Sequence, residues 1–449
     1  MTRGRSADLP HVVVVGGGFG GMSVVAALAR TQAHITLIDR RNHHLFQPLL
    51  YEVATAALSP AEIAVPLRHI FRKQKNVGVI LGEVTSVDLE RNVVGVDGDE
   101  VAFDYLVLAT GSTHHYFGND SWSAYAPGLK TIDDALEIRR RFLLTFERAE
   151  RCEDPEERQR LLTTVIVGGG PTGIELAGTM SEVAKRVLQG EFRSLDPSSV
   201  RIVLAEGADR LLPSLAPELS ARAKSDLEKL GVEVRLQTLV TEIDDRGVTL
   251  ESGEYVRAAN AVWAAGVCGS PLERGLLTFL RDDRRLRVER DLSLAGHPNV
   301  FAIGDLAYVE SNGHPVPGLA PAALQMGKHV GNALAREIGG SVSVQNRVPF
   351  EYRDKGTLAT IGRGKAVADI GRFKFGGVAA WLLWVVVHIA FLVGFRSRVM
   401  VLFEWAYAYF TFRRGARLIT GRGGPGEGLD ASDATVGRTD AEAAMSANS

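Results

Sequence analysis

The sequence predicts an α/β fold with two similar parallel-sheet domains, the second inserted in the first, and a C-terminal region of apolar helices. Two glycine-rich segments, VVVVGGGFGG at residues 12–21 and VIVGGGPTG at residues 165–173, each follow an apolar strand and precede a helical pattern. Each is followed by a second apolar strand that ends in an acid, Asp39 or Glu206. One such fingerprint is weak evidence, but two in one chain predict two Rossmann-like domains that bind two dinucleotides. The alternative is an ordinary α/β domain with glycine turns.

The chemistry of these fingerprints is local. The first glycine allows a tight turn, the second lets the backbone approach a pyrophosphate, and the third lets the helix pack on the sheet. The phosphates lie at a helix N-terminus, where free N–H groups and the helix dipole favour anions. The acid accepts hydrogen bonds from ribose hydroxyls and repels a 2′-phosphate, so Glu206 favours NADH over NADPH. The long spacing between Gly173 and Glu206 predicts an extended helix and loop around residues 189–199.

Charge is distributed unevenly along the chain. The 449 residues carry a formal net charge of −2, but residues 351–422 hold 12 Lys/Arg and 4 Asp/Glu, a net of +8 that leaves about −10 on the remainder. A basic segment on an acidic body indicates an anionic surface partner such as a membrane, and nothing in it points to nucleic acid. Residues 1–10 lack the apolar core of a secretory signal, so we expect a cytoplasmic catalytic body.

Cysteine and histidine usage argues against two kinds of site. The only cysteines, Cys152 and Cys268, form no Cys-x-x-Cys pair. This excludes the disulfide reductases of similar layout, which need a redox-active cysteine pair beside the flavin. The pairs His43-His44 and His114-His115 have no further ligand partners at metal-binding spacing, so we expect no metal.

The C-terminal region contains two apolar runs. Residues 377–394 form 18 positions without a formal charge, which just meets the length of a membrane-spanning helix. However, Trp381, Trp384, His388 and Phe391 follow a three-to-four spacing that places them on one helix face, and arginines flank both runs. The second run, from Val399 to Phe412, is short and contains Glu404. We therefore predict two amphipathic helices lying on the membrane surface. The alternative is that both helices belong to the core or to a dimer interface.

The domain order follows from these assignments. The segment NVFAIGD at residues 299–305 reads as one more buried strand of the first sheet, so the second domain interrupts the first. Residues 131–160 read as charged helices that bridge the domains. The predicted boundaries are 8–125 and 291–350 for the first domain, 126–290 for the second, 351–418 for a membrane-anchoring region and 419–449 for a disordered tail.

Several further segments resemble a known family. They are HLFQPLLYEVAT at residues 44–55, GIELAG at 173–178, VPGLAPAALQ at 316–325, FRSR at 395–398 and FRRGARL at 412–418. Together with the fingerprints they resemble the bacterial type II NADH:quinone oxidoreductases over residues 12–418. The resemblance implies a single-subunit respiratory flavoprotein that passes hydride from NADH to FAD and two electrons to a membrane quinone, without proton pumping. It also implies a peripheral, monotopic position on the cytoplasmic face of the bacterial plasma membrane, and it leaves room for a homodimer.

The resemblance and the fingerprints together assign candidate site residues. Those for FAD are Gly16, Gly18, Phe19, Gly20, Gly21, Asp39, Arg40, Gln47, Val84, Thr110, Gly111, Asp305 and Ala322. Those for NADH are Gly168, Gly170, Pro171, Thr172, Gly173, Glu206, Ala265 and Gly266. Those for the quinone are Pro321 and Gln325, and the candidate catalytic residues are Glu175 and Gln325.

Some assignments keep alternatives. Glu175 would have a raised pKa if buried beside the flavin, but an acid in the first helical turn is also a helix-dipole residue. Gln325 would bond a quinone carbonyl, or it is a core amide with its bonds satisfied. Pro321 departs from the family, which has Gln there, and removes a side-chain amide and a backbone donor. We expect His388 to be a helix histidine at the lipid boundary, and Arg40 is either solvated or bound to adenine.

Two other functions fit parts of the sequence. One is a soluble NAD(P)H-dependent flavoprotein reductase whose electron acceptor is another protein, with the C-terminal runs as core or interface. The other is a membrane-docked redox sensor that binds NADH without turnover; the quinone-type segment around Gln325 argues against it.

Overall fold

The computed structural model describes residues 9–188, 191–270, 275–411 and 416–420. The predicted tail from residue 421 onward and most of the FRRGARL segment lie outside these residues. So do residues 189 and 190, at the start of the predicted extended loop.

The first domain is built on a six-stranded sheet. Its strands, in spatial order, are Ser293–Leu294, His297–Ala302, Tyr105–Leu108, His11–Val15, His34–Asp39 and Val77–Leu81. All neighbours are parallel except the first pair. The central strand His11–Val15 contains four valines in a row, all buried, as a parallel strand between helices requires. Because the strand at 297–302 pairs with the strand at 105–108, the predicted insertion of the second domain is confirmed.

The first domain also contains a smaller sheet. It is an antiparallel meander of Val84–Asp88, Val93–Val96 and Asp99–Ala102. Asp97 and Gly98 both have positive φ, at 50° and 93°, as a tight hairpin turn requires. The Asp-Gly pair is the local signal that indicates this hairpin.

The second domain is also built on a parallel sheet, which has four strands. In spatial order they are Val232–Arg235, Arg201–Ala205, Thr163–Val167 and Asn260–Trp263. After the edge strand Val232–Arg235, the chain forms an antiparallel meander of Val240–Ile243, Gly247–Leu250 and Tyr255–Arg257.

Helices and short strand pairs complete the two domains. The main helices are Phe19–Ala27, Leu50–Ala54, Ile132–Arg151, Pro155–Leu161, Pro171–Glu182, Pro217–Lys229 and Ala320–Ile338, with single turns at Pro60–Ile63 and Leu67–Ile70. The two-stranded pairs are His43–Leu45 with Ala64–Pro66, Ser112–His114 with Val267–Gly269, Leu286–Arg287 with Ala307–Tyr308, and Glu310–Ser311 with His314–Pro315. The helices predicted at 131–160 are confirmed, and Thr131 begins the first of them by accepting from the Asp134 N–H.

The C-terminal region begins with a sheet rather than a helix. Strands Thr357–Gly362, Lys365–Ile370 and Phe373–Gly376 form an antiparallel meander that packs on the helix Pro171–Glu182. The approach is so close that a Cβ added to Gly178 would lie 1.7 Å from the Ile361 carbonyl oxygen. Residues 357–376, for which no sheet was predicted, therefore extend the core of the second domain, and the predicted helices come after them.

Two helices follow, Val378–Phe391 and Phe395–Thr411. Within the described chain, no helix has both the length and the apolar content that a membrane crossing needs. Trp384, Leu392 and Val401 are buried in the core, and the Trp381 ring stacks on Tyr409. The predicted membrane-facing stripe was wrong in its direction: Trp384 and His388 face the protein and only Phe391 of that set is exposed. Because this helix is apolar on every side, residue spacing alone could not select the inner face.

Candidate active site

The two glycine-rich loops have the same geometry. Gly16 and Gly168 adopt φ values of 104° and 109°, which strain any residue with a side chain. A Cβ on Gly21 would lie 1.9 Å from the Gly16 oxygen, and one on Gly173 would lie 1.8 Å from the Gly168 oxygen. The start of each helix therefore packs closely against the glycine at the end of the preceding strand. The third glycine of the fingerprint permits this arrangement.

Each loop opens onto an uncapped helix N-terminus. Gly18 and Gly170 are the N-cap residues of Phe19–Ala27 and Pro171–Glu182, and neither helix has a side-chain cap. A Cβ on either glycine would meet nothing within 4 Å, so there is open space beside each N-cap, and the first N–H groups of a helix have no partner within it. Thr110, at the end of the neighbouring strand, has a buried hydroxyl without a hydrogen-bond partner in the described chain. These free donors fit a dinucleotide pyrophosphate.

The two predicted ribose acids also hold their own loops. Asp39 accepts from the N–H groups of Gly17, at 2.6 Å, and Arg41, at 2.7 Å. Glu206 accepts from the N–H groups of Gly169 and Ala208, the latter at 2.7 Å. A carboxylate has about four acceptor positions, so each acid can still bind ribose hydroxyls. Sequence analysis assigned the ribose role alone and missed this clamp on the loop.

The other predicted FAD residues differ in how exposed they are. Arg40 is half-exposed and lies 3.6 Å from Glu83, which agrees with the solvated alternative. Val84 is buried, and Ala322 is buried in the first turn of Ala320–Ile338, so Ala322 offers only its backbone. That helix crosses Phe19–Ala27 closely, because a Cβ on Gly327 would lie 2.2 Å from the Gly20 oxygen.

A polar cluster that no motif predicted surrounds Asp305. Ser112 donates to Asp305 at 2.8 Å, and the Lys130 ammonium donates to Ser112 at 2.9 Å while lying 3.9 Å from Asp305. Gln47 donates to the Lys130 carbonyl at 3.1 Å. Burial lowers the pKa of Lys130, and the charge of Asp305 partly offsets this. The cluster places a cation next to two predicted FAD residues, Asp305 and Gln47.

Aromatic rings connect the first loop to the C-terminal helices. His44 donates from Nδ1 to the Gly17 carbonyl at 3.1 Å and contacts the Phe19 ring. Phe46 contacts both Phe19 and His388, and His388 stacks on Trp384 with ring centroids 4.1 Å apart. The expected position of His388 at the lipid boundary was therefore wrong. Burial lowers the pKa values of His44 and His388, each to about 4.

These two histidines predict a loss of stability in mild acid. In the unfolded chain a histidine takes up a proton near pH 6.5, whereas the folded protein keeps His388 neutral until about pH 4. The folded state binds fewer protons, so its stability falls as the pH drops from 6.5 towards 4, by about 2 kcal/mol per histidine at pH 5. The drop in the free energy of unfolding between pH 7 and pH 5 should be about 2 kcal/mol smaller in His388→Gln. The exposed His314→Gln should match the wild type, and an unchanged drop in His388→Gln would contradict the argument.

Glu175 lies where the second glycine loop meets the C-terminal sheet. It is the fifth residue of the helix Pro171–Glu182, so its expected place in the first turn was wrong, and its carboxyl group accepts from the Thr360 N–H. Burial raises the pKa of Glu175 well above its usual value, and the nearby charge of Glu52 raises it further. The carboxyl group therefore keeps its proton to a higher pH than an ordinary glutamate does, as expected for a proton donor.

Comparisons with known proteins agree with this geometry. Residues 10–327 match the pyridine nucleotide-disulphide oxidoreductase family and residues 355–414 match the NDH2 C-terminal domain. The type II NADH:quinone oxidoreductase Ndh of Mycobacterium tuberculosis is 44% identical over 422 residues, which cover 91% of this chain and 90% of the relative. The chain belongs to the type II NADH:quinone oxidoreductase family. Its second M. tuberculosis relative, NdhA, is also 44% identical, covering 91% of this chain and 89% of NdhA.

The fold of the family is also shared with a distant relative. The structure of NDH2 from Plasmodium falciparum in complex with NADH superposes with a TM-score of 0.83 at 21% identity, covering 92% of this chain and all of that chain. The predicted family and its two-domain fold are therefore confirmed.

The departure from the family pattern at Pro321 has a small structural effect. Pro321 lies in the first turn of Ala320–Ile338, where a backbone N–H has no partner within the helix, so only the side-chain amide of the family Gln is lost. Gln325, one turn later, donates to the Arg353 carbonyl and accepts from the Arg353 N–H, both at 3.0 Å. The satisfied-amide alternative thus describes its present contacts, and one amide hydrogen remains for a ligand.

Proposed function

We propose that this protein oxidises NADH and reduces a membrane quinone, with FAD as its resident cofactor. The observation that carries the proposal is the pair of matching glycine loops in a member of this family, each with an uncapped helix N-terminus and a loop-clamping acid. Bound FAD would accept a hydride from NADH and supply two electrons to the quinone. The chain binds and orients both dinucleotides and delivers a proton.

We assign the following roles to its residues. The loop at Gly16–Gly21, with Asp39 and Thr110, holds FAD, and the loop at Gly168–Gly173, with Glu206, holds NADH. Glu175 keeps a proton beside the reacting groups. The quinone approaches at Pro321 and Gln325, where the Gln325 amide has one hydrogen beyond its bond to the Arg353 carbonyl.

The outer face of the two C-terminal helices supports a membrane position. Its exposed apolar side chains are Val378, Leu382, Val386, Phe391, Phe395, Val399, Leu402, Phe403 and Tyr407. Contiguous apolar surface of this kind marks an interaction site, and the basic balance of residues 351–422 favours anionic lipid head groups. We propose a peripheral position on the cytoplasmic face of the plasma membrane, without proton pumping. A second copy of the chain is the competing occupant of this face.

Purified protein loaded with FAD tests the function directly. We expect rapid NADH oxidation that depends on a short-chain quinone and is slower with NADPH. Reduction of the bound FAD by NADH without quinone turnover would contradict quinone reduction and favour a protein acceptor.

A triple substitution on the outer face tests the membrane position. Phe395, Leu402 and Phe403 are 83%, 51% and 64% exposed, and inserting each into the bilayer should contribute about 1.5–3 kcal/mol. Changing all three to Glu should reduce binding to vesicles of anionic phospholipid at least about a hundredfold in a flotation assay. The matched control is a triple change to Glu at three residues outside the C-terminal helices that are similarly exposed, Leu239, Leu277 and Val348. If both variants float like the wild type, or if the first only converts a dimer to a monomer, the outer face is not the membrane site.

A further inference from the structure

A cavity of about 100 Å³ lies between the helix Pro171–Glu182, the C-terminal sheet and the two C-terminal helices. This volume has room for several water molecules. Its polar lining comes from four elements: Glu52 and Tyr51 from Leu50–Ala54, Glu182 and Arg186 from the helix and its continuation, Arg363 from the turn after Thr357–Gly362, and Glu404 and Tyr409 from Phe395–Thr411. Arg186 is exposed at the rim, so the cavity reaches solvent.

Two tryptophans indicate that the cavity holds water. Trp384 and Trp405 both line it, with ring centroids 5.1 Å apart, and Trp384 is only 2% exposed. Their buried indole N–H groups have no hydrogen-bond acceptor within the described residues. A buried donor without an acceptor costs about 1–3 kcal/mol, which water in the adjacent cavity would remove.

The same cavity leads to Glu175. Residues 175, 179 and 182 are spaced by four and three positions, so Glu175, Thr179 and Glu182 share one face of their helix. Thr179 and Glu182 line the cavity, and Thr360, which also lines it, donates its N–H to Glu175. On the opposite wall, Glu52 is near enough for its charge to act on Glu175.

The overall reaction requires a proton inlet. NADH, one proton and a quinone give NAD⁺ and a quinol; the hydride carries two electrons and one hydrogen, and the second hydrogen of the quinol comes from solvent. We propose that this solvent proton enters through the cavity beside Trp384 and passes by way of water and Glu52 to Glu175, which gives it to the quinone oxygen. The inference rests on the proposed quinone reduction. Glu52 acts through Glu175 and does not touch the substrate.

Two variants test the inlet in different ways. Glu52→Gln removes the relaying carboxyl group, whereas Ala408→Leu keeps every charge and fills the cavity, which Ala408 lines. The matched control is Glu147→Gln, an exposed acid on Ile132–Arg151. Stopped-flow mixing of the FAD-loaded protein, first with NADH and then with a short-chain quinone, measures the two half-reactions separately.

We expect both variants to slow the quinone half-reaction about tenfold and to leave the NADH half-reaction and the melting temperature near wild-type values. In Glu52→Gln the loss of a negative charge lowers the pKa of Glu175. The decline of the quinone rate with rising pH should therefore move to lower pH. A purely structural role for Glu52 would not move this pH profile.

Wild-type quinone rates and an unshifted profile in both variants would overturn the inlet alone. Equal slowing of both half-reactions in both variants would overturn it as well, since that pattern indicates general damage. Absence of quinone turnover in the wild type would overturn the proposed function, and the inlet with it.

Discussion

Glu175→Gln should slow quinone-dependent NADH oxidation by about 10²–10⁴-fold, the range expected when a general acid is removed. The amide oxygen of Gln can still accept from the Thr360 N–H, so the local fold should survive. Gln has no carboxyl proton to donate, so the whole decrease in rate should occur in the quinone half-reaction. NADH oxidation in the first half-reaction should change little, which stopped-flow absorbance would measure.

The pH dependence of the same variant distinguishes a proton donor from a structural acid. Because the pKa of Glu175 is raised, its protonated form persists to higher pH, and the wild-type quinone rate should fall as the pH rises through that value. The quinone rate of the Gln variant should not fall in this pH range. Ionising a carboxyl group with a raised pKa also destabilises the folded state above the ordinary pKa, so Glu175→Gln should be at least as stable as the wild type at pH 8.

The competing explanation is that Glu175 only stabilises the fold, to which the helix dipole contributes little because Glu175 lies beyond the first turn of its helix. Glu218, an exposed acid in the first turn of Pro217–Lys229, sets the upper limit of a dipole effect, since Glu218→Gln removes a first-turn charge without an active-site position. Removal of a helix-dipole charge should cost about 0.3–1 kcal/mol of stability and leave both half-reactions unchanged. Wild-type quinone rates in Glu175→Gln would favour that explanation.

Local chemistry explains which features could be predicted from the sequence. The glycines of each loop lie within a few residues of each other, and an acid ends the next strand, so the loops at Gly16 and Gly168 can be recognised from the sequence. The ribose role of Asp39 and Glu206 stays a prediction, and their hydrogen bonds to the loop N–H groups were not predicted. The inserted topology was predictable because a buried strand at 297–302 needs a sheet to join.

Features that depend on tertiary packing were not predictable. Ser112 is only 18 residues from Lys130, but Asp305 is 193 residues from Ser112, so the cluster forms only through the fold, and no motif marks Lys130. The inward direction of Trp384 and His388 is set by the sheet at 357–376, whose short strands carry no strong pattern. That sheet also creates the cavity wall beside Glu175, which the helix sequence alone does not reveal.

Glu206→Arg should invert the nucleotide preference. The present carboxylate clamps the loop through the N–H groups of Gly169 and Ala208 and repels a 2′-phosphate. Arg removes both loop bonds, so kcat/KM should fall about a hundredfold with NADH, mostly through KM. Replacing a like charge by an opposite one at the 2′-position is worth several kcal/mol, so the NADPH-to-NADH ratio of kcat/KM should rise at least about a hundredfold.

The ratio isolates the ribose role from the clamp. Loss of the loop bonds weakens both nucleotides alike, whereas the charge acts only on the one with a 2′-phosphate. Glu206→Gln retains one acceptor oxygen and no charge, so its ratio should fall between the wild type and the Arg variant. The exposed Glu242→Arg makes the same change in net charge on the strand Val240–Ile243 and should leave the ratio unchanged. Equal losses for NADH and NADPH in Glu206→Arg, with a constant ratio, would mean that Glu206 is a loop clamp and that nucleotide selection lies elsewhere.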